Sequence, residues 1–159
     1  MTSTAEQVLN SSLGLEFSDA EAATIVELMD ERMLADGDYL IEEGTSDDAL
    51  HVIVEGKLEV VKKTPADALA SLAVLREGDM AGELSFLDGE THTVGLRALS
   101  SVKVLSLTRE KFESIVDGHP QLVYRVMRAV ARSAHRIVHK MNADFLEMSN
   151  YIFKQHGRY

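Results

Sequence analysis

Residues 82–98 have the sequence GELSFLDGETHTVGLRA. Gly82-Glu83 is placed to open a short helical turn, a loop around Gly89 follows, and an alternating segment predicts a strand over 93–98. Free amide groups at the start of a helix favour an anion. This helix–loop–strand arrangement, called the cassette below, therefore indicates a site for a small phosphorylated ligand.

Composition limits what the rest of the chain can be. The 159 residues are 45% hydrophobic and 26% charged, as expected of one globular domain. There is no cysteine, no apolar run near 18 residues and no secretory signal at the N-terminus, so we expect a cytoplasmic protein with no membrane contact. The net charge of −10 argues against nucleic-acid binding. It also means that an anionic ligand must be attracted by a local arrangement, because the global field opposes it.

The first two-thirds of the chain predict one helix and then many short strands. Apolar residues recur at helical spacing from Ser18 to Arg32, and Ser18 with Glu21 forms a capping-box signature. Glycines then separate β-prone segments, and Glu55-Gly56-Lys57 is predicted to be a hairpin turn. This pattern favours a β-sandwich or barrel. Strands are predicted at Tyr39–Ile41, Leu50–Val54, Leu58–Val61, Ala70–Leu75, Thr93–Ala98 and Val102–Leu107.

Helical character returns at the C-terminus. A short helix is predicted from Thr108 to Val116, and Pro120 opens a longer one that runs to about Phe153 without glycine or proline. Its apolar residues follow a heptad-like seam, and such a helix is too long for a domain of this size to cover. We therefore expect a homodimer through residues 120–153; the alternative is a stripe packed on the domain's own core. The seam comprises Val123, Met127, Val130, Ala134, Ile137, Met141, Phe145, Met148 and Ile152.

The order of these elements resembles the cyclic-nucleotide-binding domain family. The match extends over about residues 18–150 and rests on glycine-containing motifs in family order: Gly37-Asp38, Gly44, Ile53-Val54-Glu55-Gly56, Leu75-Arg76-Glu77-Gly78-Asp79 and Gly82-Glu83-Leu84-Ser85. The resemblance implies a mainly β fold with flanking helices: a double-stranded β-helix, or jelly roll, with an N-terminal helix and a long C-terminal helix. It divides the chain into a lead segment at 1–17, a β-roll with helices at 18–119, and a long helix with a short tail at 120–159.

The resemblance also implies a ligand site in the cassette. Glu83 stands where the family glutamate accepts a hydrogen bond from the ribose 2′-hydroxyl, and the amides of Gly82, Leu84 and Ser85 stand where a cyclic phosphate meets the helix. His92, followed by Thr93, stands where the family has an arginine against the phosphate. The implied ligand is cAMP or cGMP, and no cofactor is expected.

The exchange of arginine for His92 weakens the phosphate-facing half of this site. Arginine offers a permanent charge and a two-pronged donor, whereas histidine offers one donor per nitrogen and is mostly neutral at pH 7. Losing a charge-assisted contact of about 1.5–3 kcal/mol would weaken binding by about one to two orders of magnitude. Arg97 has the opposite strand parity and should face away from His92. Arg76 is a candidate substitute from a neighbouring strand.

We therefore expect a non-catalytic regulatory domain whose helices, from Arg109 to Ile152, transmit ligand binding to an unknown effector protein. Two other uses of the pocket stay open: a different ligand suited to Glu83 and His92, or a degenerate domain that serves protein–protein contact. Only six residues follow Phe153, too few for a DNA-binding helix pair.

Metal-based alternatives also follow from the histidines. A cupin-like metal enzyme would need about three histidines and a carboxylate on one ion, and the chain offers His51 with Glu55 and, far away, His92. His135 and His139 lie four residues apart on the long helix and could hold a metal, although a solvated face is the simpler interpretation. We expect neither metal site.

Overall fold

Two four-stranded antiparallel sheets form the body of the molecule. The computed structural model describes residues 2–156. One sheet has the strand order β1-β8-β3-β6 and the other the order β2-β7-β4-β5. The elements are α1 (Thr4–Leu9), α2 (Asp19–Leu28), β1 (Asp30–Leu34), β2 (Tyr39–Ile41), β3 (Ala49–Glu55), β4 (Leu58–Lys63), β5 (Leu69–Leu75), β6 (Met80–Ala81), α3 (Glu83–Asp88), β7 (Gly95–Ala98), β8 (Val102–Thr108), α4 (Arg109–Glu113) and α5 (Pro120–His156).

Strand β3 is buried on both faces, and each face contacts a different core. Leu50, Val52 and Val54 belong to a core shared with the helices, whereas Ile53 belongs to the core between the two sheets. Strand residues alternate between faces. His51 therefore shares the side of Ile53, toward the interior of the roll where the cassette lies.

The predicted hairpin at Glu55-Gly56-Lys57 is wrong. β3 pairs with β6 and β8, whereas β4 pairs with β5 and β7, so Gly56 carries the chain from one sheet to the other. Turn composition predicts that the chain reverses but not which strands then pair, and here the inward-facing side chains of both strands meet in the core between the sheets.

The predicted helix over 18–32 is partly wrong. The capping box of Ser18 and Glu21 is present, but α2 ends at Leu28, and Met29 already has extended backbone angles. Residues 30–34 form β1, which pairs with β8 and buries Leu34 between the sheets. Strand pairing overrides the helical preference of this acidic segment. The strand predicted from Thr93 begins at Gly95, and α1, β1 and β6 were not predicted.

The C-terminal helix begins at Pro120, as predicted, and continues to His156. Its first part packs on the domain: Leu122, Val126, Ala129 and Val130 belong to the helix-side core. After Ser133, no side chain through Lys154 is buried. Residues 157–159, the end of the expected tail, lie outside the described residues. Within residues 2–156, no helix is both long and apolar enough to cross a membrane.

Candidate functional site

The cassette begins with a glycine that no other residue can replace without strain. Gly82 is the N-cap of α3 and has a φ of 75°, in the left-handed region. A Cβ atom at this position would lie 2.8 Å from the carbonyl oxygen of Ala49. The close approach packs α3 against β3 and holds the cassette beside His51.

Glu83 follows as the first residue of α3, and its side chain is already hydrogen-bonded. Only 6% of the residue is exposed, and Ser133 Oγ of α5 donates to Glu83 Oε1 over 2.7 Å. Ser133 is itself buried. The carboxylate expected to accept a ligand hydroxyl therefore accepts a hydroxyl from the long helix.

His92 lies in a chain of hydrogen bonds that extends from α3 to β8. Ser85 Oγ lies 3.1 Å from His92 Nδ1, and His92 Nε2 lies 2.8 Å from Asp47 Oδ1. The other oxygen of Asp47 lies 3.2 Å from His51 Nε2, and His51 Nδ1 lies 2.7 Å from Ser106 Oγ. One carboxylate thus links two histidines, and the other ring nitrogen of each histidine is hydrogen-bonded to a serine hydroxyl.

The carboxyl group at the centre of this chain is held in its ionised form. Burial by itself would raise the pKa of Asp47, but the hydrogen bonds from His51 and His92 lower it below its ordinary value. The side chains of His92 and His51 are 8% and 3% exposed, whereas that of Asp47 is 38% exposed. Asp47 is therefore the most exposed of the three ionisable side chains in this chain of hydrogen bonds.

The remaining predicted residues do not supply a cation beside His92. Arg97 donates to Glu59 on β4 over 2.8 Å, which confirms that it faces away. Arg76 lines a cleft of about 500 Å³ together with Gly56 and Lys57, and none of the six predicted site residues lines it. Thr93 uses its carbonyl oxygen to accept from Lys62 Nζ over 2.7 Å. The side chain of Leu84 is exposed, and the residue itself is 51% accessible to solvent.

A family model described as the cyclic nucleotide-binding domain matches residues 31–119. The chain belongs to this family. It is 27% identical over 100 residues to a CRP-like cAMP-activated global transcriptional regulator of Mycobacterium tuberculosis; the match covers 63% of this chain but 45% of the regulator. The chain therefore spans less than half the length of that relative.

Solved structures of the family agree with the fold. The N-terminal domain of a transcriptional regulator from Streptomyces coelicolor A3(2) has a TM-score of 0.74 and 30% identity, covering 82% of this chain and 94% of that one. cAMP-bound PfPKA-R has a TM-score of 0.62 and 28% identity, covering 70% of this chain and 40% of that one. The jelly-roll fold with flanking helices and a long C-terminal helix, predicted from the motifs, is thereby confirmed.

Three residues that contact the cassette of this cyclic nucleotide-binding domain were not predicted from the sequence. Asp47 and Ser133 bind His92 and Glu83 from 45 and 50 positions away. Arg109, the first residue of α4, donates from Nε to the carbonyl of Phe86 over 2.9 Å and from Nη2 to that of Ser85 over 3.3 Å. The spacing of Asp47 and His51, four residues apart, was the one local signal available for this cluster.

The histidines do not assemble as the metal-enzyme alternative requires. His51 contacts Asp47, and Glu55 lies exposed at the end of β3. Within residues 2–156, no group of three histidine, cysteine or acidic residues is arranged to hold a metal ion. His135 and His139 stack with ring centroids 6.3 Å apart on the exposed part of α5.

Proposed function

We propose that this domain is a non-catalytic, cytoplasmic sensor that binds cAMP or cGMP weakly and transmits binding through α4 and α5. The hydrogen bond between Ser133 and Glu83 carries the proposal. It joins Glu83, which we expect to accept a ribose hydroxyl, to α5, which we expect to transmit the signal. A ligand hydroxyl at Glu83 would compete with Ser133, and the competition would alter how α5 packs.

The site residues proposed for the ligand are Gly82, Glu83, Leu84, Ser85, His92 and Thr93. Glu83 would accept from the ribose, the backbone of the first α3 turn would face the phosphate, and His92 would stand beside it. Arg109 offers a second route of transmission, because it ties the carbonyls of Ser85 and Phe86 to the start of α4.

Calorimetric titration with cAMP and then cGMP, at pH 6 and pH 7.5, tests the binding step. We expect affinity about one to two orders of magnitude weaker than an arginine-containing site would give. Absence of heat at both pH values, with both nucleotides, would contradict binding. Hydrogen exchange of residues 109–152 tests transmission: unchanged exchange with saturating ligand would contradict it.

The second candidate function is a protein-interaction module that no longer binds nucleotide. The same contacts favour it: Glu83 is bonded to Ser133, and His92 is bonded to Asp47. Under this alternative the two bonds stabilise a fixed arrangement, and α5 serves association alone. A His92→Arg variant separates the two candidates, since it should gain cAMP affinity only if the pocket is otherwise intact.

We also propose that the domain forms a homodimer through the part of the predicted interface at 120–153 that follows Ser133. α5 leaves the domain after Ser133, and large apolar side chains continue along its exposed part. Association would bury these side chains, as a heptad-like seam does in a coiled coil.

A further inference from the structure

We propose that an anionic ligand binds at the His92 end of the site together with a proton, so that affinity for a cyclic nucleotide rises as pH falls. The inference rests on the proposed function and concerns the chain of side chains Ser85, His92, Asp47, His51 and Ser106. The direction of each hydrogen bond among these five side chains determines what one added proton changes.

The ionised carboxylate sets the direction of the hydrogen bonds. A carboxylate accepts only, so both Nε2 atoms that face Asp47 carry a hydrogen. In the neutral form of each ring, Nδ1 is then an acceptor, and the hydroxyls of Ser85 and Ser106 donate to it. Every polar atom of the chain is satisfied in this form, and its total charge is −1.

This charge is opposite to the one an anion requires. Where the family places a permanent positive charge, the neutral form presents a half-exposed carboxylate and an imidazole whose Nε2 hydrogen is already donated. A phosphate beside this group would be repelled by Asp47 and would find no free donor on His92.

Protonation of His92 removes both obstacles. Nδ1 gains a hydrogen and donates it to Ser85 Oγ, so the hydrogen of the Ser85 hydroxyl becomes free to be donated to the anion, and the group becomes neutral overall. Imidazole takes up protons near neutral pH, and a bound anion stabilises the protonated form. Binding and protonation therefore favour each other, with a limit of about tenfold in affinity per pH unit for one proton.

Several charged groups on the neighbouring elements are engaged in contacts of their own. On α3, Glu83 is bonded to Ser133. On α4, Arg109 donates to the carbonyls of Ser85 and Phe86. On β4, Lys62 donates to the Thr93 carbonyl and to Glu43 Oε1, so its charge is paired.

The backbone of His92 is held as well. Its amide donates to the Thr45 carbonyl, and its carbonyl accepts from the Gly44 amide, both over 2.8 Å. The ring therefore stays beside Asp47 while its protonation changes. Asp47 is accordingly the residue that makes the site sensitive to pH, through His92.

The binding experiment is a calorimetric titration of the full chain with cAMP from pH 5.5 to pH 8, in two buffers of different ionisation enthalpy. We expect affinity to rise as pH falls, with uptake approaching one proton per ligand. Adenosine, which lacks the phosphate, should bind with no such pH dependence. Affinity for cAMP that is independent of pH, or binding without proton uptake, would overturn the inference and leave the proposed function standing.

Two variants and one control locate the effect. His92→Arg should bind cAMP about tenfold to hundredfold more tightly at pH 8 and lose the pH dependence. Asp47→Asn should raise affinity at pH 8 by about threefold to tenfold and flatten the dependence. Asp36→Asn makes the same charge change in the exposed turn before β2 and should behave like the wild type. Equal pH dependence in all three variants would overturn the role of Asp47 and His92.

If the wild type binds no cAMP at any pH, the inference is wrong, and titration of the wild type with cGMP decides whether the proposed function stands. His92→Arg then shows the state of the pocket: binding by this variant means that the pocket is otherwise intact, and absence of binding favours the protein-interaction module.

A measurement without ligand tests the hydrogen-bond directions independently. Ring ¹⁵N chemical shifts of histidine-labelled protein, assigned with His51→Gln and His92→Gln, should show a hydrogen on Nε2 of both rings, because each Nε2 faces the Asp47 carboxylate. An Nε2 atom without a hydrogen in either ring would contradict the arrangement.

Discussion

At the scale of single residues, Ser133 connects the long helix to the cassette. Its hydroxyl is the donor to the buried carboxylate of Glu83, and both residues lie where water has little access. An acceptor that loses its donor in such a place is left unsatisfied, which destabilises the folded state more than the bond itself stabilises it.

Ser133→Ala should therefore lower the free energy of unfolding by about 1–3 kcal/mol. Urea denaturation followed by circular dichroism measures this change. Ser100→Ala removes the same hydroxyl from an exposed position and should stay within about 0.5 kcal/mol of the wild type. Equal midpoints for Ser133→Ala and the wild type would mean that Glu83 does not depend on this helix.

The site residues divide according to how their contacts are specified. Glu83 and His92 could be identified from the sequence, because the motif that surrounds them is contiguous. Asp47 and Ser133 could not, since each meets its partner only after the roll has closed. A serine on a helix has no local pattern that distinguishes it from solvent-facing residues, and the local signal for Asp47 was its spacing from His51. The outward side of Arg97 follows from alternation within β7, which is a local property, although His92 itself lies before that strand.

At the scale of elements, α3 depends on how closely its first residue approaches β3. Gly82 and Gly37 have similar backbone angles, with φ of 75° and 88°. An added Cβ at Gly82 would meet the Ala49 carbonyl oxygen at 2.8 Å, whereas one at Gly37 would have no atom within 4 Å. Comparing a substitution at Gly82 with the same substitution at Gly37 therefore separates the cost of steric contact from the cost of backbone strain.

Gly82→Ala should destabilise the domain by about 1–2 kcal/mol more than Gly37→Ala, because only the former adds overpacking to the strain of a positive φ. Thermal and urea denaturation of both variants measure the difference. Equal destabilisation by the two variants would show that α3 can move away from β3 without loss, and the packing argument would fail.

The positions of the strands and helices were predicted more accurately than the pairing between the strands. Alternation and glycine spacing located most strands, because those features belong to each strand alone. The connection at Gly56 was misassigned since the choice between a paired hairpin and a crossing between sheets depends on which cores the two strands fill. The overrun of α2 has the same origin: β8 supplies the hydrogen bonds that make residues 30–34 a strand.

At the scale of the whole molecule, ion pairs hold the first half of α5 against the N-terminal segment. Arg128 Nε donates to Glu16 Oε2 over 2.9 Å, Arg132 approaches Glu16 Oε1 at 3.2 Å, and Arg125 pairs with Glu21. The hydrogen bond from Arg128 is the main cause that lowers the pKa of Glu16; partial burial opposes it, and the charges of both arginines add to it.

Acid should weaken this attachment in a defined direction. Because the folded-state pKa of Glu16 is lowered, its stabilisation is complete above the unfolded value of about 4.3 and is lost as pH falls through the folded value. Glu16→Gln should therefore lose less stability than the wild type between about pH 5 and pH 3, while Glu147→Gln, exposed on α5, should match the wild type. Urea midpoints across this range measure the slopes; parallel slopes for Glu16→Gln and the wild type would contradict the assignment.

Beyond Ser133, α5 has an exposed apolar surface that the domain does not cover. Ile137, Met141, Phe145 and Met148 are 43%, 63%, 68% and 63% exposed and recur at intervals of four, four and three residues. At about 100° per residue they share one side of the helix. Val130 of the predicted seam lies in the helix-side core instead, so the dimer seam we propose starts later than its pattern suggested.

Phe145→Glu should convert the proposed dimer to a monomer, because it places a charge at the centre of the apolar surface, where association would strip it of water. Sedimentation equilibrium over a range of concentrations measures the mass. Ala143→Glu adds the same charge on the opposite side of α5 and should leave the dimer intact. A wild type with the mass of one chain at every concentration would reject the dimer, and equal dissociation by both variants would mean that the helix associates through a different surface.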